Sequence, residues 1–448
     1  MYYRPWVGVA LFAAVAMTLP AAAADLTIRC RCVIGGVNTQ QAKWIDDDII
    51  PDFAASHPEV HVSLDQFPGD DASMTQQEAI DFSSASGPDI AALDGFQIPG
   101  FVDGGLVKPL DEIAGPAVDQ WEGWGHISDG SKAIMGYRGK VYGLALGTDV
   151  RMIFTRKDLL VKAGLSPDWQ PKSWEELLDG ARALKRADPT SFPLQLDAGV
   201  NMGEATTMQG YYMALLGTGE SLLDANGRWI VSSPGILATL RLYKTIYVDE
   251  ALGDQRAQLV PDGRNQSFAN FRDGRTALLV ESDWFYREVT APGSIYALKD
   301  RDSQMGWAEM PAEDAGTGVH GQSFVTISGG AGYVINPHAR DPADAWALLS
   351  FMFSRDELSK LQVLEEGIRT RDDVPAAQSP FLSATARALL PLTTARPNDV
   401  NYFKVSAAIQ QMTESVVSGQ STPEAAMAAF RDTVTGIVGA DNVVVQGN

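Results

Sequence analysis

The stretch GPDIAALDGFQIPGFVDGGLVKPLDEI, Gly87 to Ile113, opens as an apolar run of β type, breaks at Asp94-Gly95-Phe96, and resumes as a short amphipathic helix ending in a turn. A buried strand that stops on an acid, a glycine and an aromatic ring suits a strand aimed at a cleft. Gly95 lets the backbone turn, Asp94 offers an acceptor for hydroxyls, and Phe96 offers an apolar face.

Upstream, LTIRCRCVIGG alternates as a strand does and ends in glycines. Trp44, Ile45, Ile49, Ile50 and Phe53 then recur at helical spacing before a second strand, VHVSLDQF, and SMTQQEAIDFSSAS reads as another helix. This β-α-β alternation predicts a parallel sheet covered by helices. Downstream, GKVYGLALGTDVRMIFTRKDLLVKAGL holds two extended runs joined at Gly147-Thr148-Asp149 and a helix closed by Gly164. Ser173 with Glu176 forms a capping-box pattern before another helix. TALLVESDWFYREV is a buried strand that empties into Asp283-Trp284; one more strand covers residues 333–335, and DPADAWALLSFMFS and most of the tail read as helices.

Two α/β lobes fit 448 residues, with the chain crossing between them near Ala145 to Asp149 and near Met310 to Gly318, where prolines and glycines gather. The expected division is a first lobe of residues 25–147 plus 312–356 and a second of residues 148–311 plus 357–448, with a small-molecule cleft between them.

Residues 1–24 carry one positive residue, Arg4, an apolar run from Val7 to Leu19, and Ala22-Ala23-Ala24, the layout of a cleavable secretory leader. The run is shorter than an ordinary span of ~20 residues, so a periplasmic protein, mature from about Asp25, is expected. A net charge of -21 argues against nucleic acid and anionic membranes as partners. Cys30 and Cys32 leave a strained bridge, two free thiols or a metal-binding pair open. Residues two apart on a strand lack the Cβ approach a bridge needs, so buried or semi-buried free thiols rank first.

No G-x-S-x-G elbow, H-E-x-x-H helix or phosphate-binding loop is present, and the five histidines show no convincing ligand pattern, so neither a cofactor nor a metal is expected. What recurs is a strand ending in a polar residue beside an aromatic one: Asp94 with Phe96, and Asp283 with Trp284. Asp149 and Arg151 lie at a suspected crossing. Such strand ends converge on the crevice of an open α/β sheet. A sugar suits them, because its C-H face stacks on a ring while its hydroxyls bond to carboxylate and guanidinium groups.

The order of PDIAALDG, GGLVKPLDE, KVYGLALGTD, FTRKDLLVKAGL with SWEELLDGARAL, GRTALLVESDW, GGAGYVINPHARDPADAWALLSFMFS and EEGIRTRDDV resembles the extracellular solute-binding proteins, family 1, of ABC importers, over essentially the whole mature chain. The resemblance implies an α/β, two-lobed periplasmic binding protein fold of type II. It also implies capture of a neutral carbohydrate without covalent chemistry, and an ABC permease as partner; a monomer is expected. It assigns ligand contacts to Asp94 and Phe96, to Asp149, to Trp284 as stacking ring, to Tyr211 or Tyr212, to Gly330 of the Gly329-Gly330 pair, and to Arg371. Arg151, Asp283, Asn38 and Gln40 join them as cleft candidates. Arg369 stands where the family's G-x-P-x-R turn has proline, which leaves open which arginine faces the cleft, and polyols or sugar acids also fit if Arg151, Arg369 or Arg371 does. A secreted carbohydrate-active enzyme, or a binding module serving a sensor, is the alternative.

Overall fold

The computed structural model describes Met1 and residues 24–447, so the expected leader lies outside the described residues except at its two ends. Ten strands build the two main sheets and the link between them: β1 (Ala24–Cys30), β2 (Val60–Gln66), β3 (Ile90–Asp94), β4 (Gly143–Ala145), β5 (Arg151–Arg156), β6 (Leu194–Gln195), β7 (Leu278–Ser282), β8 (Met305–Ala308), β9 (Phe324–Ser328) and β10 (Ala331–Ile335). The first sheet runs β2-β1-β3-β10-β4. β1 is parallel to β2 and β3, and β10 returns antiparallel to β3, pairing Ala331 with Asp94 and Ile335 with Ile90. β2 alternates, with Val60 and Val62 buried and His61 and Ser63 exposed, whereas Ile90 to Leu93 are buried throughout, as expected of a central strand.

The helical pattern at Trp44 to Phe53 forms one continuous helical stretch from Thr39 to Ser56 with a wider π turn at Trp44–Ile49. It buries Trp44, Ile45, Ile49 and Phe53, and the Trp44 indole N–H donates to the Glu357 carbonyl at 3.0 Å.

The second sheet runs β8-β5-β7-β6, with β5 antiparallel to both β7 and β8. Ser173 caps the helix Trp174–Ala187 by accepting the Glu176 N–H, while the Glu176 carboxylate reaches back one residue further than a capping box, to the Lys172 N–H.

Two features differ from the sequence reading. Met310–Pro311 pairs with Phe324 and Val325 as a hairpin of the second lobe, so the prolines and glycines near 310–318 mark a turn and not a crossing. The chain crosses at Gly329-Gly330: Val325 and Ile327 pack in the second core, while Tyr333 and Ile335 pack in the first. Leu358, Leu361 and Val374 also pack in the first core, whereas Leu382 and Leu389 pack with Phe154 and Phe285 of the second lobe, so a further crossing follows Val374; just before it, Ile368–Arg369 pairs antiparallel with Gly147–Thr148. A Cβ on Gly330 would stand 2.5 Å from the Gly147 carbonyl oxygen, so glycine is what lets the crossing segments touch backbone to backbone.

The second difference is at Cys30 and Cys32, which the structure joins in a disulfide with no free cysteine left. The free-thiol reading assumed a straight strand. β1 ends at Cys30 and the chain bends at Arg31, bringing the two Cα atoms to 5.2 Å, inside the bridging range.

Candidate functional site

β3 delivers Asp94 to the gap between the lobes. Its backbone N–H donates to the Gln97 side-chain oxygen at 2.9 Å and its carboxylate accepts the Phe96 N–H, which caps the turn Gly95–Gln97. Gly95 is required by space more than by turning: a Cβ there would sit 2.2 Å from the Ile134 carbonyl oxygen. Phe96 thereby leaves its own lobe and packs against the second core, its ring 5.6 Å from Tyr402 and 6.5 Å from Phe403.

Arg396, from the second lobe, lies over this ring with its guanidinium 4.3 Å from the centroid. The same group pairs with Asp94 at 2.5 Å and with Glu204 at 3.4 Å, and Glu204 also accepts the Tyr402 and Ser406 hydroxyls. Burial pushes the Asp94 carboxyl above its ordinary range, against the pull of Arg396.

At the first crossing, Asp149 accepts from Arg151 at 2.8 Å and from the Gly329 N–H at 2.7 Å. Burial raises Asp149, but Arg151 and the Gly329 N–H outweigh it and hold the carboxyl below its usual value. Arg151 is buried, and also donates to the Ile327 carbonyl and to Gln209. Asp283 accepts the Val150 N–H and pairs with Arg287, which in turn pairs with Glu365.

Beside these, the Trp284 indole N–H donates to the Asn38 side-chain oxygen at 2.9 Å. Asn38 adopts the left-handed conformation, φ 46°, which asparagine tolerates better than most residues, and its amide donates to the Arg31 carbonyl. The Arg264 guanidinium lies 5.4 Å from the Trp284 ring centroid and is held by Glu281. Gln40 faces Tyr286, Arg287, Glu365 and Phe381 across a cavity of about 660 Å³ that lies between the lobes. Charged groups and rings from both lobes therefore meet where the lobes face each other; of the expected ligand contacts, Gln40 lines this cavity, whereas Asp94, Asp149 and Trp284 do not.

Residues 36–357 match the profile of the bacterial extracellular solute-binding proteins. The chain belongs to that family. This solute-binding protein is 24% identical over 381 residues to binding proteins of Brucella abortus and Brucella suis, covering 84% of its own length and 85% of theirs. Among solved structures, it resembles an ABC transporter solute-binding protein of Thermotoga lettingae bound with alpha-D-tagatose, at a TM-score of 0.77 and 23% identity over 92% of this chain and 99% of that one. Maltose-bound MalE3 of T. maritima gives 0.76 and 19% over 93% and 100%. The GacH receptor of Streptomyces glaucescens gives 0.75 and 19% over 93% and 99%. These likenesses carry the two-lobed α/β fold.

Not every expected residue of the solute-binding protein reaches the cleft. Tyr211 is fully buried in the second core, because the turn Thr206–Tyr212 that carries it is covered on all sides; Tyr212 is buried with it. Arg371 is also buried. It makes two bonds to Asp373 and two to Glu122, beside the Trp121 ring, so it braces the first lobe and does not face the cleft. Arg369 donates to Gln362 and to the Glu365 carbonyl, and burial beside Arg287 pushes it down to about 9. Gly330 contributes close backbone packing and no side chain.

Arg396, Glu204 and Arg264 were missed in the sequence. Their signal is weak, since Arg396 and Asp94 are 302 residues apart and neither neighbourhood carries a repeating pattern. Among the described residues, His126, Asp372 and Asp373 bring ligand-type atoms within 4.8 Å of one another. Asp373 pairs with Arg371, and each His126 nitrogen faces a carboxylate.

Proposed function

We propose that this protein captures a carbohydrate in the periplasm and delivers it to the transmembrane subunits of an ABC permease, with no covalent chemistry of its own. The observation that carries this reading is the meeting, between the lobes, of aromatic rings and hydrogen-bonding groups from both: Phe96, Asp94 and Asn38 from the first, Trp284 from the second, with Asp149 at the crossing. Rings take the apolar face of a sugar, and carboxylates and amides take its hydroxyls. Tagatose and maltose in the structural relatives support the same ligand class.

In this reading Trp284 is the stacking surface, Asn38, Gln40, Asp94 and Asp149 bond hydroxyls, and the lobes close about the crossings as ligand binding shifts an open-closed equilibrium. The protein acts as a monomer after removal of residues 1–24. A thermal-shift screen against mono- and disaccharides, polyols and uronic acids, followed by calorimetry, tests it, because a ligand that binds only the folded state raises apparent stability. A carbohydrate that binds stoichiometrically and is recovered intact is the expected result. No response to any sugar, or turnover of labelled oligosaccharide, would overturn it.

A further inference from the structure

Asp94 on the first lobe, Glu204 on the second and Asp149 at the crossing between them lie close enough to feel one another's charge, and two guanidinium groups, Arg396 and Arg151, answer them. Arg151 is committed to Asp149. Of these two arginines, Arg396 joins the lobes: it comes from the segment just after the short strand Thr393–Ala395, which pairs with β9 of the second lobe, and it reaches Asp94 at the end of β3. Its side chain is only 7% exposed, and a Cβ on Gly329 would stand 2.8 Å from its terminal nitrogen, so glycine at 329 leaves it room. Over the Phe96 ring, with N–H groups on carboxylates, Arg396 makes there the contacts expected of a stacked, hydroxyl-bearing ligand.

We propose that Arg396 is a positioning residue for lobe closure: it neutralises Asp94 and Glu204 as the two lobes meet, so that the cleft can close around an uncharged ligand. Without it, Asp94 and Glu204 approach each other beside Asp149 with no cation between them, and like charges brought out of water oppose closure. Glu204 keeps the Tyr402 and Ser406 hydroxyls as partners in either case, so the second lobe does not depend on Arg396 for its own hydrogen bonding. The link to ligand rests on the carbohydrate reading above; the link to closure does not.

The test uses the full mature chain as wild type, Arg396→Met, Asp94→Asn, the Arg396→Met/Asp94→Asn pair, and Asp94→Arg. Small-angle X-ray scattering of the ligand-free proteins reads closure, and calorimetry with alpha-D-tagatose, maltose and mannobiose reads affinity. Arg396→Met is expected to enlarge the radius of gyration and to weaken whichever of these sugars the wild type binds by about tenfold or more. Removing the Asp94 charge in the double variant should restore most of the wild-type radius of gyration, a rescue that a purely structural role for Arg396 would not show. Asp94→Arg, which sets two cations face to face from the first lobe, should also expand the protein and decides the matter if Arg396→Met does not fold. Unchanged scattering in Arg396→Met or in Asp94→Arg, or no rescue in the double variant, overturns the proposal. If the wild type binds none of the three sugars, that counts against carbohydrate capture, while the scattering still decides the role of Arg396.

Discussion

The Trp284 indole N–H donates to the Asn38 side-chain oxygen across the cleft at 2.9 Å, tying the strand end of one lobe to the loop after the first strand of the other. Arg264 covers the same ring, and the disulfide-linked turn at Arg31 holds Asn38. Replacing Trp284 by Ala should weaken sugar binding by about 1 kcal/mol or more through lost stacking. Trp284→Phe, which keeps a ring but not the N–H, should retain more affinity than Ala, and calorimetry of both against a sugar that stabilises the wild type checks the order. Equal affinity in all three proteins would remove Trp284 from the site.

Glu281 is buried, accepts from Arg264 and Gln209, and also takes the Ser282 N–H. Glu281→Ala leaves Arg264 without that partner and should cost about 2 kcal/mol in denaturant unfolding, a buried-pair loss reduced because Arg264 keeps some solvent contact. Glu281→Gln should cost less, since it still offers an acceptor.

Glu78 is fully buried beneath the first sheet, neither carboxylate oxygen has a hydrogen-bond partner, and burial pushes its carboxyl up to about 9, only partly offset by Arg29. The folded chain therefore holds a proton that the unfolded chain releases above pH ~4.5, so folding takes up a proton between that pH and about 9. Its contribution to stability falls as pH rises through this window. Glu78→Gln should stabilise the protein at pH 8 by roughly 1 kcal/mol or more and leave it nearly unchanged at pH 4, as thermal melts at the two pH values will report. A gain equal at both values would mean that Glu78 is ionised in the native state.

The Cys30–Cys32 bridge closes a three-residue loop, for which the chain-entropy estimate is only ~1.5 kcal/mol. Unreduced mature protein should be lighter by two hydrogens than the reduced chain in intact mass analysis. The Cys30→Ser/Cys32→Ser variant should fold, with a melting temperature lowered by a few degrees. A mass matching two thiols in air-oxidised protein would contradict the bridge.

Much of the scaffold was legible because its signals are local. The apolar run of β3 breaking at Asp94-Gly95-Phe96, the spacing from Trp44 to Phe53, and β7 emptying into Asp283-Trp284 each depend on residues a few positions apart, and the structure places all three as read. Tyr211 and Arg371 were harder. Both sit in segments whose aromatic or charged character suits a cleft or a core equally well, and only the direction of the backbone decides between them.

The sequence by itself determined two α/β lobes, the strand ends that face each other, and the residue types at those ends, because periodicities of 2 and 3.6 record which side of each element meets a core. Only the tertiary structure decided which arginine meets which acid. Arg396 reaches Asp94 from 302 positions away, Arg371 is drawn to Glu122 and Asp373, and Cys30 turns toward Cys32 where β1 ends. Charge pairing in a cleft depends on where three crossings bring distant segments, and no local pattern carries that path.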